Sequence, residues 1–131
     1  MSRRLAILLL GAVALAGCGE NDKADADRTV REFVKATNDR DANKLCEDLL
    51  TKDFIEQATG ATGQRARTTC KQQFKAFRGL KVRLVRITKT EVHGDKAKVT
   101  AVIVAQDQPQ PRVFNLRKEN GKWRLAGGTA G

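Results

Sequence analysis

The chain holds no tyrosine, one histidine, one tryptophan and two prolines in 131 residues. With His93 as its only imidazole, it suggests no Ser/His/Asp set and no cluster with metal-ligand spacing, so neither a metal nor a cofactor is expected. His93 falls where a hairpin turn is expected, remote from any cavity, and is not a candidate acid, base or ligand. Aromatic residues make up 5% of the chain and are not interleaved with its cations, so a stacking platform for nucleic acid is missing. No Gly-rich loop follows a strand to hold phosphate. Long apolar runs are missing too: residues 5–15, about eleven residues, would rise only about 16 Å as a helix, roughly half of a bilayer core.

What is present begins at the N-terminus. Arg3 and Arg4 give a positive start, residues 5–15 are apolar or small, and the run ends in Leu15-Ala16-Gly17-Cys18, the layout of a secretory signal. These last four residues resemble the lipobox of bacterial lipoproteins. The resemblance implies cleavage after Gly17 and a diacylglycerol on Cys18, which becomes the new N-terminus. A thiolate is the nucleophile such a thioether needs, and two acyl chains at about 0.8 kcal/mol per buried methylene hold a protein stably where one does not. The expected location is the extracytoplasmic face of the cell membrane. An ordinary cleaved signal with an incidental Cys18 is the alternative. Ser2-Arg3-Arg4 also faintly resembles a twin-arginine signal, but Leu-Ala-Ile continues it poorly, and the general export route fits better. The expected organisation is a signal over residues 1–17, a lipidated Cys18 and flexible tether over 18–26, one domain over 27–127 and a tail over 128–131.

Once Cys18 is assigned to lipid, Cys46 and Cys70 remain as a pair that an oxidising compartment allows to form a disulfide. Closing a loop of about 25 residues would stabilise the fold by roughly 3 to 4 kcal/mol. Two free buried thiols are the other reading. The formal net charge is +10; loss of Arg3 and Arg4 with the signal leaves 23 basic against 15 acidic side chains, or +8. Each cation near an anionic membrane contributes about 1 kcal/mol, which favours adherence to the chain's own membrane. Export removes the opportunity for nucleic acid. Solubility is the plainest use of the charge.

Periodicity predicts helices first. Ala26, Val30, Phe33, Val34 and Thr37 share one face of a first helix, with Asp25 or Asp27 as its cap. Asn38 and Asp39-Arg40-Asp41 break it, and Asp41 can cap a short second helix with Ala42, Leu45, Cys46, Leu49 and Leu50 inward. Thr51 can cap a helical turn carrying Phe54, Ile55 and Ala58, which ends in the loop from Gly60 to Gly63. A third helix over 64–78 puts Ala66, Cys70, Phe74 and Phe77 inward, and Gly79 stops it. The period then changes to alternation over 80–92, 96–106, 112–119 and 122–126, four strands of an antiparallel meander. His93-Gly94-Asp95 and Asn120-Gly121 are hairpin turns, whereas Pro109 and Pro111 interrupt the second connection. Glu119 then faces Lys122 and Leu116 faces Leu125, which sets Phe114, Leu116, Trp123 and Leu125 on a core face. The second strand is apolar on both sides, Ala97, Val99, Ala101 and Ile103 on one and Val102 and Val104 on the other. Its second face needs a partner, a ligand or a curl of the sheet.

Helices followed by a curved four-stranded antiparallel sheet that ends in Gly121-Lys122-Trp123-Arg124-Leu125 resemble the nuclear transport factor 2-like superfamily, with its SnoaL-like and ketosteroid isomerase-like members. Asp41, Leu45-Cys46 and Cys70 also resemble a pattern in small actinobacterial lipoproteins of unknown function. The resemblance implies an α+β cone with the first helix cradled by the sheet and, in some members, a pocket. Val30, Phe33, Thr37 and Trp123 are the candidate pocket lining, with core filling as their other role. Asp39, Asp41 and Asp53 sit at helix boundaries, where capping explains them.

The favoured reading is a non-catalytic, lipid-anchored domain. It would bind a small apolar ligand in its cone or an envelope protein on its sheet face, through which it could also form a homodimer. A SnoaL-like isomerase or cyclase with a buried Asp is the competing reading. In a third, Lys71, Lys75, Arg78, Lys81, Arg83 and Arg86 form a basic patch for anionic envelope lipid or polymer.

Overall fold

Four acidic residues, Glu20, Asp22, Asp25 and Asp27, fall in the first half of the first helix, where they outnumber Lys23 and Arg28. In the computed structural model, which describes residues 18–77, 79 and 81–130, this helix, α1, runs Cys18–Asp39. Residues 18–26, expected as a flexible tether, are therefore its first turns, and neither Asp25 nor Asp27 caps it. The reason lies far along the chain. Asp22 is 2.9 Å from the Lys118 ammonium, Asp27 accepts a hydrogen bond from the Thr90 hydroxyl, and Ala26 is fully buried against the sheet. The residues expected as a signal, 1–17, lie outside the described residues.

Arg40, at φ 55°, turns the chain out of α1, and Asp41 accepts from the Lys44 amide at 3.0 Å to cap a π-helical turn, Lys44–Leu49. Leu45, Cys46, Leu49 and Leu50 point inward from it. Thr51 caps α2, Lys52–Thr59, by accepting from the Phe54 amide at 3.1 Å. Gly60, left-handed at φ 71°, ends α2, and α3 spans Gly63–Ala76. Phe77, placed inward by its spacing, is instead 57% exposed because α3 stops one residue before it.

The sheet is a meander in the order β1-β2-β3-β4, every pair antiparallel: β1 Arg83–His93, β2 Lys96–Val104, β3 Pro109–Glu119 and β4 Lys122–Ala130. Glu119 pairs with Lys122 across the Asn120-Gly121 turn, and Leu116 pairs with Leu125. Positive φ at Asn120 (50°) and Gly121 (77°) gives the backbone twist that a two-residue hairpin needs. Pro109 and Pro111 do not interrupt the sheet; they belong to β3 and pair with Val104 and Val102. β4 ends opposite Arg112, so β3 has a neighbour on only one side there, and an absent N–H is tolerated. Register shifts at Leu84/Arg86 and Ile87/Lys89 bend β1.

α1 lies on the sheet antiparallel to β1, with Asp27 at Thr90 and Asn38 at Val82. The core between these layers gathers Val30, Leu45, Val99, Leu116, Trp123 and Leu125, each at most 5% exposed. Cys46 and Cys70 are bonded to each other with Cα atoms 6.0 Å apart, which ties the π-helical turn to α3. The helical layer also joins the sheet through its backbone, since the Thr51 amide donates to Leu125 O at 2.9 Å.

Candidate functional site

α1 presents two flanks, and the side chains on them differ in how far their charges are satisfied. On one flank, a groove of about 280 Å³ separates α1 from the π-helical turn and the β3–β4 turn, with Trp123 in its wall. Most of its ions are paired within the groove, Arg28 with Asp25 at 3.2 Å, and Lys44 with Asp48 at 3.6 Å and Glu32 at 3.9 Å, while Lys122, also in the lining, makes no ion pair among the described residues. Trp123 is 4% exposed, its carbonyl accepts from Thr29 Oγ1 at 3.3 Å, and Lys118 Nζ lies 5.2 Å from the centre of its ring. Its indole N–H is buried without a hydrogen-bond partner among the described residues.

The other flank is open and cationic. A groove of about 570 Å³ runs between the second half of α1 and residues 81–84. Val34, Val82 and Leu84 form its apolar part; Arg31, Lys35, Lys81 and Arg83 line its polar part. Asp39 is the acid in this lining, and it is held by Lys35 at 2.5 Å, a contact that raises the Lys35 pKa through the hydrogen bond first and the charge second. Among the described residues Arg31, Lys81 and Arg83 make no ion pair. Asn38 fixes the groove's shape: its amide nitrogen donates to Val82 O at 2.6 Å, and its carbonyl accepts from the Val82 amide at 2.7 Å. A carboxamide thereby stands in for a neighbouring strand just ahead of β1. Such a surface suits a ligand with an apolar body and an anionic group.

The residues singled out in the sequence fall in different places. Val30 is fully buried, Phe33 packs edge-on to Phe114 with ring centres 6.2 Å apart, and the Thr37 hydroxyl donates to Phe33 O at 2.8 Å within its own helix. These three fill or brace the interior, and Trp123 alone of the four borders a groove. Of the basic patch, Lys71 is drawn 2.5 Å from Glu47. Arg78 lies outside the described residues. Lys81 and Arg83 enter the cationic groove, while Lys75 and Arg86 are exposed elsewhere. Asp41 caps as expected, Asp39 pairs with Lys35 instead, and Asp53 lies 3.8 Å from Arg117 while Thr51 supplies the α2 cap. Sequence reasoning missed Arg31, Lys35 and Asn38. The first two carried a signal as neighbours four apart on the polar face of α1; the pairing of Asn38 with Val82, 44 residues away, carried none.

Among the described residues no group of three His, Cys, Asp or Glu could hold a metal ion, and no helix is long and apolar enough to cross a membrane. No protein-family model matches the sequence, and no curated protein matches it. Among solved structures, the chain is similar to a designed NTF2-like protein, Rd1NTF2_05 with five substitutions, at 17% identity and a TM-score of 0.52 over 86% of this chain and 99% of that one. It is also similar to a SEC-C motif containing protein from Rhodopseudomonas palustris, at 15% identity and a TM-score of 0.51 over 83% and 80%. At such identities the likeness concerns the fold, and the fold is the NTF2-like α+β cone.

Proposed function

We propose that this chain is a lipid-anchored extracytoplasmic binding domain, tethered through a diacylglycerol on Cys18, and that its ligand joins an apolar body to an anionic group. The observation that carries the binding role is the groove beside α1, where Arg31, Lys81 and Arg83, without ion pairs among the described residues, border Val34, Val82 and Leu84. The lipobox-like residues before Cys18 support the anchor. A non-catalytic role is supported by the interior: Thr29 and Thr51 are the buried polar residues among those described, and a SnoaL-like isomerase or cyclase would use a buried Asp. A carboxylate near water and cations lacks the desolvation that raises a catalytic acid's pKa.

Two measurements test the proposal. The native product should enter the detergent phase on phase partitioning and show an intact mass equal to residues 18–131 with a diacylglyceryl group in place of the Cys18 thiol hydrogen; an aqueous product with unmodified Cys18 would end the anchor reading. Dodecyl phosphate should bind at least about tenfold more tightly than dodecyl maltoside, a difference of about 1.4 kcal/mol for the same chain length. Lys81→Gln with Arg83→Gln should abolish that preference. Equal affinity for the two detergents would remove the anionic ligand.

A further inference from the structure

One large side chain at the far end of α1 breaks the burial pattern. Phe77 is 57% exposed, the largest exposure of a bulky apolar residue among those described. Its ring lies against Gly79 so closely that a Cβ there would come within 2.0 Å of two ring atoms, so glycine at this position is what lets the ring lie there. The Arg40 guanidinium donates to Phe77 O at 3.2 Å and ties the segment to the end of α1. Two residues before it Lys75 is exposed, four after it Lys81 is exposed, and Arg83 opens β1. The acids of this end are partly engaged: Asp39 holds Lys35 and Asp41 caps the π-helical turn, which leaves Asp107 in the β2–β3 connection. An aromatic ring among cations is the composition of a contact with the headgroup region of an anionic bilayer.

We infer that the Phe77 end of the domain docks on an anionic membrane surface, with the ring as a shallow wedge and Lys75, Lys81 and Arg83 against the headgroups. The inference rests on the reading of Cys18 as the anchored residue for its consequence. α1 has 22 residues, about 33 Å at 1.5 Å per residue, and Cys18 and Phe77 lie at its opposite ends. A domain held at both would lie with α1 along the membrane, and its orientation would be fixed rather than free to pivot about one thioether. Charge complementarity selects the bilayer over a second copy of the chain, because two such ends would repel each other.

The core lies entirely within residues 26–125, so a chain beginning at residue 18 and carrying Cys18→Ser keeps the whole fold and isolates docking from lipidation. Phe77→Trp in that chain places an indole at the proposed wedge, and vesicles of phosphatidylglycerol with brominated acyl chains report its depth. Trp123, buried, serves as the silent control in the chain without the substitution. The indole at position 77 should be quenched by brominated phosphatidylglycerol vesicles at low salt and unaffected by brominated phosphatidylcholine. Phe77→Ser should weaken vesicle partitioning about tenfold, the worth of a partly buried aromatic ring. Lys75→Gln, outside the groove, should weaken it about fivefold, and adding Lys81→Gln and Arg83→Gln should bring the loss to about a hundredfold, at roughly fivefold per cation. An indole at 77 that stays unquenched, or partitioning unchanged by the triple substitution, would overturn the docking. The intact mass of the native product tests the anchor separately, so one reading can fail without the other.

Discussion

The parts of α1 before and after Val30 have the same helical geometry and share one core, but their charged side chains meet different surroundings. Up to Val30, Asp22 meets Lys118, Asp27 meets Thr90, Thr29 reaches Trp123 O, and Ala26 and Val30 are fully buried. From Arg31 on, Ala36 is still buried and Asn38 is hydrogen-bonded to Val82, but Arg31 has no ion pair among the described residues, Lys35 pairs with Asp39 of its own helix, and an open groove runs beside the helix along residues 81–84. Both parts pack on the sheet, but the acids of the first are tied to strand residues, whereas the second leaves Arg31 without an acid among the described residues. One helix therefore has its strand-bound acids before Arg31 and, beyond it, mixes Arg31 and Lys35 with Glu32 and Asp39 beside an open groove.

The largest expected break of this contrast is Trp123→Ala, which should destabilise the domain by about 4 kcal/mol in chemical denaturation. Phe77→Ser at the open end should change stability by less than about 0.5 kcal/mol. Comparable losses from both would mean that the two ends do not differ. Next is the staple. Replacing both Cys46 and Cys70 with Ala should remove about 3 kcal/mol, since the bond closes a loop with a sequence separation of 24. Reduction of the unsubstituted chain should reproduce that loss, and an unchanged unfolding midpoint would refute it.

A smaller effect sharpens the comparison within the second half. Asn38→Ala removes both hydrogen bonds to Val82 and should cost about 2 kcal/mol. Amide exchange at Val82 should accelerate while that at Val99 in the core does not; uniform acceleration would show that the groove wall is not a separate unit. The smallest effect belongs to Glu47. The hydrogen bond from Lys71 is the first cause of its lowered pKa, and the charges of Lys71 and Arg67 add to it against partial burial. Its contribution is fully present above the ordinary glutamate pKa and is lost as pH falls through the lowered folded value. For a half-exposed pair it should amount to less than about 1 kcal/mol. Lys71→Met should flatten the acid limb of the stability profile, and an unaltered slope there would deny the pair any role.

Particular elements show why some of this was legible. Asn120-Gly121, Thr51 as a cap, and the inward stripe of Leu45, Cys46 and Leu49 are local, because backbone conformation and side-chain period are fixed within a few residues. Residues 18–26 misled because an Asp-rich stretch has nothing to bury by itself, and the partner of Asp22, Lys118, lies 96 residues away, as the partner of the adjoining Asp27, Thr90, lies 63. Phe77 misled because the spacing that holds for Ala66, Cys70 and Phe74 applies only while the helix continues. The prolines at 109 and 111 read as breakers, yet they fall where β3 has lost one neighbour.

By itself the sequence determined the α+β order, the hairpin register, the inward cysteines and the excess of cations, since each follows from interactions between near neighbours or from composition. The tertiary structure alone decided that residues 18–26 belong to α1, which cations among the described residues are left without acids, and that Arg31, Lys81 and Arg83 border one apolar groove. Those outcomes depend on residues that only the packing of helix on sheet brings together. Charge along a chain is fixed by composition, whereas its cancellation depends on distance in space.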